Sequence, residues 1–295
     1  MVSTIRTLGI LLVATALLVI TGCGGAKTKT PSGKRPPIPG KTKSTPGPTV
    51  GPKAPAVAEG WGDLKLRFVY DGEAPKPAKL AVAGPDAAFC KKNHPVDEDL
   101  IVGPKGGLAN VVVYLRTKNR TVKIHPDYEA LAEKPVKVVN KNCRFAPHIT
   151  TVWTKRTLTV SNDDTIAHNT KADLFKNEPF NIQIPPGKSI NRELTKSEIV
   201  PNGISCGSHT WMTAYVLVRD TPYMKVSGAD GTLEIKNIPA GEWKFILWHE
   251  KSGYLKEITV DGSAMTLKRG IVDWSISPDA SDVKVIKVAS SGFKK

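Results

Sequence analysis

Residues 206–212 read Cys206-Gly207-Ser208-His209-Thr210-Trp211-Met212. This heptapeptide places a thiol, an imidazole and a thioether at successive intervals of three residues, directly before the strand-like run 214–218. Soft sulfur ligands combined with imidazole favour copper. A short loop between two strands can bring three such side chains to one ion. We therefore expect residues 206–212 to form most of a metal site.

A second histidine has to come from elsewhere in the chain, and His168 is the best candidate. It lies in Asn-Asp-Asp-Thr-Ile-Ala-His-Asn, residues 162–169, just after a predicted strand over 157–160. Two histidines, a cysteine and a weak axial methionine are the blue-copper ligand set. Structural zinc is less favoured because methionine is a poor zinc ligand. A Cys–His nucleophile is also less favoured, because such pairs come from separated segments.

The rest of the chain reads as β-structure. Period-2 runs such as 64–70, 157–160 and 243–248 are separated by turn signals every ten residues or so, which is typical of a β-sandwich. Residues 127–133 are the candidate for a short helical turn. With 40% apolar and 23% charged residues, the chain is neither wholly disordered nor a polytopic membrane protein. We predict an all-β fold.

Segment 136–220 resembles a small cupredoxin of the amicyanin and plastocyanin kind. Residues 143–149, Cys-Arg-Phe-Ala-Pro-His-Ile, are similar to the F-x-P-x-I strand of that family. Residues 159–164, Thr-Val-Ser-Asn-Asp-Asp, are similar to the V-x-x-N-x-D that precedes its first histidine ligand, with Thr159 at the position of the valine. The Cys-x2-His-x2-Met spacing is that of amicyanins. The resemblance implies a Greek-key β-sandwich with one type 1 copper ion. Its ligands would be His168, Cys206, His209 and Met212.

The same resemblance implies roles for residues beside the ligands. Asn169 resembles the residue that ties the two ligand loops together, and such outer bonds hold ligand geometry. His209 would present its ring edge to solvent, where an electron donor or acceptor would dock. Thr210 and Trp211 would line that docking surface.

The flanking segments resemble a carboxypeptidase-regulatory-like domain. Residues 62–72 and 109–115 look like its first strands, and residues 231–243 are similar to its G-x-F-x-I-x-x-[LI]-P-x-G-x-Y close. We therefore predict a prealbumin-like β-sandwich over 61–125 plus 222–265. The cupredoxin domain, 126–221, would be inserted in it or packed against it, with 266–295 as a C-terminal β extension. One enlarged cupredoxin is the alternative. Taken with the N-terminal lipid anchor and tether described next, these flanks and the copper loop resemble methylamine-utilisation-type cupredoxin lipoproteins.

The N-terminal segment resembles the export signal of a bacterial lipoprotein. A short basic n-region is followed by an apolar run over 8–20 and by Ile-Thr-Gly-Cys, which resembles a lipobox. The resemblance implies cleavage of the signal peptide, 1–22, and acylation of Cys23. Residues 23–60 then form a disordered tether rich in Pro, Lys and Gly. We expect an exported protein anchored in the cell envelope on its periplasmic face. Gly24 is not an acidic retention signal, which slightly favours the outer membrane.

The distribution of charge narrows the possible partners. The net charge is +15, of which +7 falls in residues 1–60, so the folded part is only mildly basic and nucleic acid is not expected as a ligand. The tether charge suits an anionic membrane surface.

If Cys23 is acylated and Cys206 binds copper, Cys90 and Cys143 remain. In an exported protein their plain interpretation is a disulfide.

These features predict a tethered one-electron carrier that is not an enzyme, because a type 1 site has no open coordination position. Its partners would be exported redox proteins such as a cytochrome c or a periplasmic dehydrogenase, and it would be a monomer. The second sandwich leaves an alternative open. A minimal carrier does not need it, so the protein could be a copper-binding, delivery or surface-binding module without electron transfer.

Overall fold

β-Strands make up nearly all the regular structure in the computed structural model, which describes residues 59–118, 120–278 and 282–293. All of the described residues belong to one compact unit. The predicted signal peptide, the predicted acylation site Cys23 and all but the last residues of the predicted tether lie outside the described residues. No helix in the described part is long and apolar enough to cross a membrane.

The described residues contain nineteen strands and two short α-helices. In chain order the strands are β1 (Trp61–Asp71), β2 (Val112–Leu115), β3 (Val136–Lys141), β4 (Arg144–Ala146), β5 (Ile149–Trp153), β6 (Thr157–Asn162), β7 (His168–Ala172), β8 (Phe180–Ile184), β9 (Ser189–Glu193), β10 (Asn202–Ser205), β11 (Thr213–Arg219), β12 (Met224–Val226), β13 (Thr232–Pro239), β14 (Gly241–His249), β15 (Gly253–Tyr254), β16 (Glu257–Val260), β17 (Ser263–Thr266), β18 (Ile271–Ile276) and β19 (Val283–Ala289). The helices are α1 (Ala87–Lys91) and α2 (Glu129–Ala132), and 3-10 turns cover Pro104–Gly106, Pro126–Tyr128 and Ser290–Phe293.

The strands form four sheets, which confirms the predicted all-β fold class. Sheet I has the order β13-β1-β19-β16-β17, and sheet II has the order β12-β2-β14-β15 with β18 paired to β14. Sheet III has the order β5-β11-β10-β7-β8, and sheet IV has the order β4-β3-β6-β9. Strands of the predicted cupredoxin segment make sheets III and IV, whereas the flanking strands make sheets I and II.

Apolar side chains fill three layers between these sheets. Phe68 of β1 and Phe245 of β14 belong to a core shared by sheets I and II. Val138 and Val216 belong to a second core shared by sheets III and IV. Strand β2 is buried on both faces: its alternate residues contribute to the first core and to a third cluster that includes residues of β5 and β11. A strand buried on both faces reads as a continuous apolar run, as β2 does.

Strands β18 and β19, from the predicted C-terminal extension, complete the flanking sheets. Strand β18 pairs antiparallel with β14, and β19 pairs parallel with β1. Because all these strands lie in one compact unit, the predicted domain boundaries remain a prediction.

The segment expected as one strand around Pro147 is two strands in different sheets. Strand β4 pairs with β3 in sheet IV, and β5 pairs with β11 in sheet III. Pro147 lies between β4 and β5 and has no N–H for a ladder hydrogen bond, so it suits a position where the chain leaves one sheet for another. The correction matters because it places His148 at this crossing rather than within a strand.

His249, at the end of β14, is fully buried and should make the stability of the fold sensitive to acid. Burial, together with the nearby charges of His148 and Lys251, lowers the pKa of His249 to about 4. In the unfolded chain the pKa of histidine is about 6.5. The unfolded state therefore binds more protons between these two values, and stability is lost as the pH falls from 6.5 toward 4.

We predict that replacing His249 with leucine removes this acid sensitivity. For metal-free protein with its disulfide intact, urea unfolding at pH 7.5 and pH 5.0 should show an extra loss of about 2 kcal/mol in the wild type relative to His249→Leu. All other titrating groups are common to the two proteins and cancel in the difference. An equal loss in both proteins would mean that His249 is not held neutral in the fold.

Candidate metal centre

Backbone hydrogen bonds within the loop 206–212 fix its conformation. Strands β10 and β11 are antiparallel neighbours, with Ser205 opposite Thr213. The N–H of Cys206 donates to the carbonyl of Met212 at 3.2 Å, and the N–H of Met212 donates to the carbonyl of His209 at 2.8 Å. Cys206 and Met212 are therefore carried at one end of sheet III, where both are buried in the core between sheets III and IV.

His168 reaches the same end of the sheet through strand pairing. It is the first residue of β7, and β7 runs antiparallel beside β10, with Ser205 opposite Lys171. The register brings the start of β7 alongside the loop that follows β10. The histidine that the sequence could place only by its motif is thus beside the heptapeptide.

Three donor groups converge here. The Nδ1 atoms of His168 and His209 are 2.9 Å apart, and Nδ1 of His209 is 3.6 Å from Sγ of Cys206. Their ligand atoms all lie within 4.8 Å of one another, and the three residues are at most 2% exposed. Among the described residues the other cluster of this kind contains Cys143, which is in a disulfide, so the His–Cys–His cluster is the free donor set.

Each imidazole is held from its outer side by a carboxylate. Nε2 of His168 is 2.8 Å from Oδ2 of Asp164, and Nε2 of His209 is 3.1 Å from Oδ2 of Asp86. With their Nε2 atoms engaged, both rings direct Nδ1 toward the thiol. Carboxylates on the outer nitrogens of metal-binding histidines fix the tautomer and raise ligand basicity.

These two carboxylates were not predicted as site residues. Asp164 lies four residues before His168, within the quoted motif, and that spacing was a signal for it. Asp86 lies 123 residues from His209 in the sequence, and no local pattern marks it. Asp164 also accepts hydrogen bonds from the backbone N–H groups of Asn142 and Cys143, at 2.7 and 2.8 Å.

The electrostatics favour a thiolate. Burial alone would raise the pKa of the Cys206 thiol, but hydrogen bonding to His168 and to the adjoining backbone lowers it. Burial would likewise lower the pKa of His168, but the Asp164 carboxylate and the Cys206 thiolate raise it to about 9. His168 and Cys206 therefore stabilise each other's charged forms. A cation that binds to both groups must displace the imidazolium proton.

Asn169 lies between the two ligand loops, where the resemblance placed it. Its Oδ1 accepts hydrogen bonds from Sγ–H of Cys206 at 3.2 Å and from the N–H of Ser208 at 3.3 Å, and also from the N–H of Gly207. A Cβ atom at position 207 would lie 3.3 Å from that oxygen, so glycine allows the close approach. Asn169 thereby links the start of β7 to the loop after β10.

The expectation that the His209 ring edge faces solvent is wrong. His209 is 2% exposed, and the segment carrying Asp86 covers its Nε2. The resemblance to a small cupredoxin covers residues 136–220 only. It could not predict a contact from Asp86, which lies just before α1 in the flanking segment. Thr210 is exposed, whereas Trp211 is half-buried, with its indole N–H donating to the carbonyl of Cys143 at 3.3 Å. Their role in docking remains a prediction.

Cys90 and Cys143 form a disulfide, with their Cα atoms 5.5 Å apart. It joins α1 to the turn between β3 and β4. The N-cap residue of α1 is Asp86, and the N–H of Cys143 binds Asp164. One covalent link thus braces both carboxylates that hold the imidazoles.

His148 lies outside the donor cluster. Its Nε2 is 2.6 Å from Oε1 of Glu250, and its Nδ1 is 3.7 Å from Oε2 of Glu98. Burial alone would lower the pKa of His148, but these carboxylates raise it. The contact fastens the crossing between β4 and β5 to the turn after β14, a structural role.

Comparison with known proteins gives partial likenesses. No family model matches the chain, and no curated protein matches it. A Cu-containing nitrite reductase (NirK) from Thermus scotoductus SA-01 is similar at 21% identity and a TM-score of 0.27, over 29% of this chain and 22% of that one. A novel purple cupredoxin from Nitrosopumilus maritimus is similar at 18% identity and a TM-score of 0.24, over 28% of this chain and 98% of that one. A reduced amicyanin mutant is similar at 16% identity and a TM-score of 0.26, over 29% of this chain and 82% of that one. The matched part therefore spans about a fifth of the nitrite reductase.

Proposed function

We propose that this protein binds one copper ion in a type 1 site and carries single electrons between exported redox partners. The observation that supports the proposal is the convergence of two imidazole Nδ1 atoms and the Cys206 sulfur in a buried cluster. A thioether from the same loop, that of Met212, completes the donor types of a blue-copper site.

Four residues of the chain would hold the ion: His168, Cys206, His209 and Met212. Bound copper would supply a couple between Cu(II) and Cu(I). The carboxylates and Asn169 hold the imidazoles and the thiol in one orientation before any metal binds, because their hydrogen bonds are already made. Ligands held in this way change position little when the charge of the ion changes.

In each turnover one electron would pass from a reduced donor protein to the centre and then to an oxidised acceptor. No covalent bond forms or breaks in this step. With four ligands supplied by the chain, no position is left for a substrate, so the proposal does not include an enzymatic reaction. Partners of a carrier meet through small, weak interfaces.

The proposal retains the envelope location expected from the sequence. Acylated Cys23 would anchor the protein, and the tether would let the folded part reach both partners, such as a cytochrome c and a periplasmic dehydrogenase. The Cys90–Cys143 disulfide supports an oxidising compartment.

Titration of the full-length chain with Cu(II) tests the copper site. One equivalent should produce an intense visible thiolate-to-copper charge-transfer band that a reductant bleaches and an oxidant restores. Cys206→Ser should abolish the band, because the serine hydroxyl cannot replace the thiolate. His168→Gln should weaken or abolish it, whereas the matched variant His148→Gln should keep it, because His148 is a buried histidine outside the cluster. A colourless wild-type complex would refute the type 1 assignment.

Copper delivery is the second candidate function, and the flanking sheets I and II favour it because a minimal carrier does not need them. A competition with a Cu(I) chelator separates the two functions. A carrier should retain Cu(I) through repeated cycles of reduction and reoxidation, since both oxidation states use the same ligands. Rapid surrender of Cu(I) to a moderate chelator, with the metal-free protein left folded, would favour delivery instead.

A further inference from the structure

We propose that Asp86, which lies outside the predicted cupredoxin segment, is a positioning residue of the copper centre. Its carboxylate would hold His209 in the ligating orientation and stabilise the oxidised ion. The covering segment, defined as residues 79–97, would then be part of the centre. This inference rests on the proposed copper function and adds a further residue to it.

The contact is specific to the outer nitrogen of the ligand ring. Oδ2 of Asp86 is 3.1 Å from Nε2 of His209, and the His209 side chain is 2% exposed. An Nε2–H that donates to this carboxylate leaves the lone pair on Nδ1, which faces the thiol and the second imidazole. The bond therefore selects the tautomer that can bind a cation at Nδ1.

The Asp86 carboxylate is directed away from its usual local partner. Asp86 occupies the N-cap position of α1, where an aspartate commonly accepts a hydrogen bond from the helix backbone. Here the side chain makes no capping hydrogen bond and reaches His209 instead. Replacing this aspartate therefore removes no cap from the helix, and the fold should tolerate the change.

The covering segment is fixed at more than one point. The disulfide joins Cys90 of α1 to Cys143. Val82 of the segment is buried in the core between sheets III and IV. The backbone N–H groups of Leu80 and Asp97 close the loop by donating to the carbonyls of Pro95 and Ala78 at 3.1 and 2.8 Å. The carboxylate is thus held against the ring by the structure around it.

A carboxylate beside the outer nitrogen of each imidazole favours Cu(II) over Cu(I). Asp164 acts on His168 from one side and Asp86 acts on His209 from the other. Coulomb attraction to Cu(II) exceeds attraction to Cu(I), and basic imidazoles favour Cu(II) further. Removing the charge of Asp86 should therefore raise the reduction potential of the centre.

The experiment compares the midpoint reduction potentials of the wild type, Asp86→Asn and Asp86→Ala. Each potential is measured by redox titration, with the visible band as the signal. Loss of such an outer partner commonly costs 10–100-fold in metal affinity. A tenfold loss confined to Cu(II) corresponds to a rise of about 59 mV. Asp86→Asn should show a rise of this order, and Asp86→Ala, which also loses the acceptor oxygen, should show a larger one.

Asp163→Asn is the matched control. Asp163 is an exposed aspartate beside Asp164, and its carboxylate is paired with Lys141 at 4.0 Å. The substitution removes the same charge as Asp86→Asn but at a side chain that does not contact an imidazole. Its potential should stay near that of the wild type. In metal-free protein, nitrogen NMR of the His209 ring should show the Nε2–H tautomer in the wild type and a mixture in Asp86→Ala.

The failure of this inference can be told from the failure of the copper function. If the wild type forms the blue complex but both Asp86 variants share its potential, Asp86 is not a positioning residue and the copper function stands. If the wild type forms no blue complex, the copper function fails and this inference fails with it. Thermal unfolding of the variants checks the fold, and Asp86→Glu, which keeps the charge, should restore the potential toward the wild-type value.

Discussion

Three polar groups lie almost fully buried in an apolar core, and each of them needs a polar partner there. A buried donor or acceptor left without a hydrogen bond costs about 1–3 kcal/mol. The protein meets this requirement on the outer sides of the groups, where Asp164, Asp86 and Asn169 bind the two imidazoles and the thiol. Their inner sides, two Nδ1 atoms and one sulfur, are then directed at one another. The interactions that make the burial tolerable also create a place for a cation.

Strand order carries these groups to one end of the sandwich. Strands β7 and β10 are antiparallel neighbours in sheet III, so the first residue of β7 and the loop after β10 meet at the same end of the sheet. The turn between β3 and β4 supplies the N–H groups that hold Asp164, and the disulfide brings α1 to that turn. Segments far apart in the chain therefore meet at the cluster through sheet pairing and one covalent link.

The chemistry of the loop could be predicted from the sequence because its spacing is local. Cys206 and His209 are three residues apart in a tight turn, and Asn169 follows its histidine directly, so short motifs identify them. The all-β class followed in the same way from period-2 runs. The cover over His209 could not be predicted, because a contact between residues 123 positions apart leaves no periodicity in either segment. The crossing at Pro147 was missed for a related reason. A single short motif does not show that its two halves pair in different sheets.

The flanking strands bear on the centre through rigidity as well as charge. The flanking segments are joined to sheets III and IV by the disulfide, by the His148–Glu250 contact and by an apolar cluster that includes Leu217 and Trp248. The disulfide at Cys90 and the burial of Val82 in the core between sheets III and IV leave little freedom for the covering segment to lift as a lid. Under the proposed function Asp86 would then stay against His209 in both oxidation states, and the centre would change little on electron exchange. A partner would approach the centre across this fixed cover and the exposed Thr210 rather than across a bare imidazole edge.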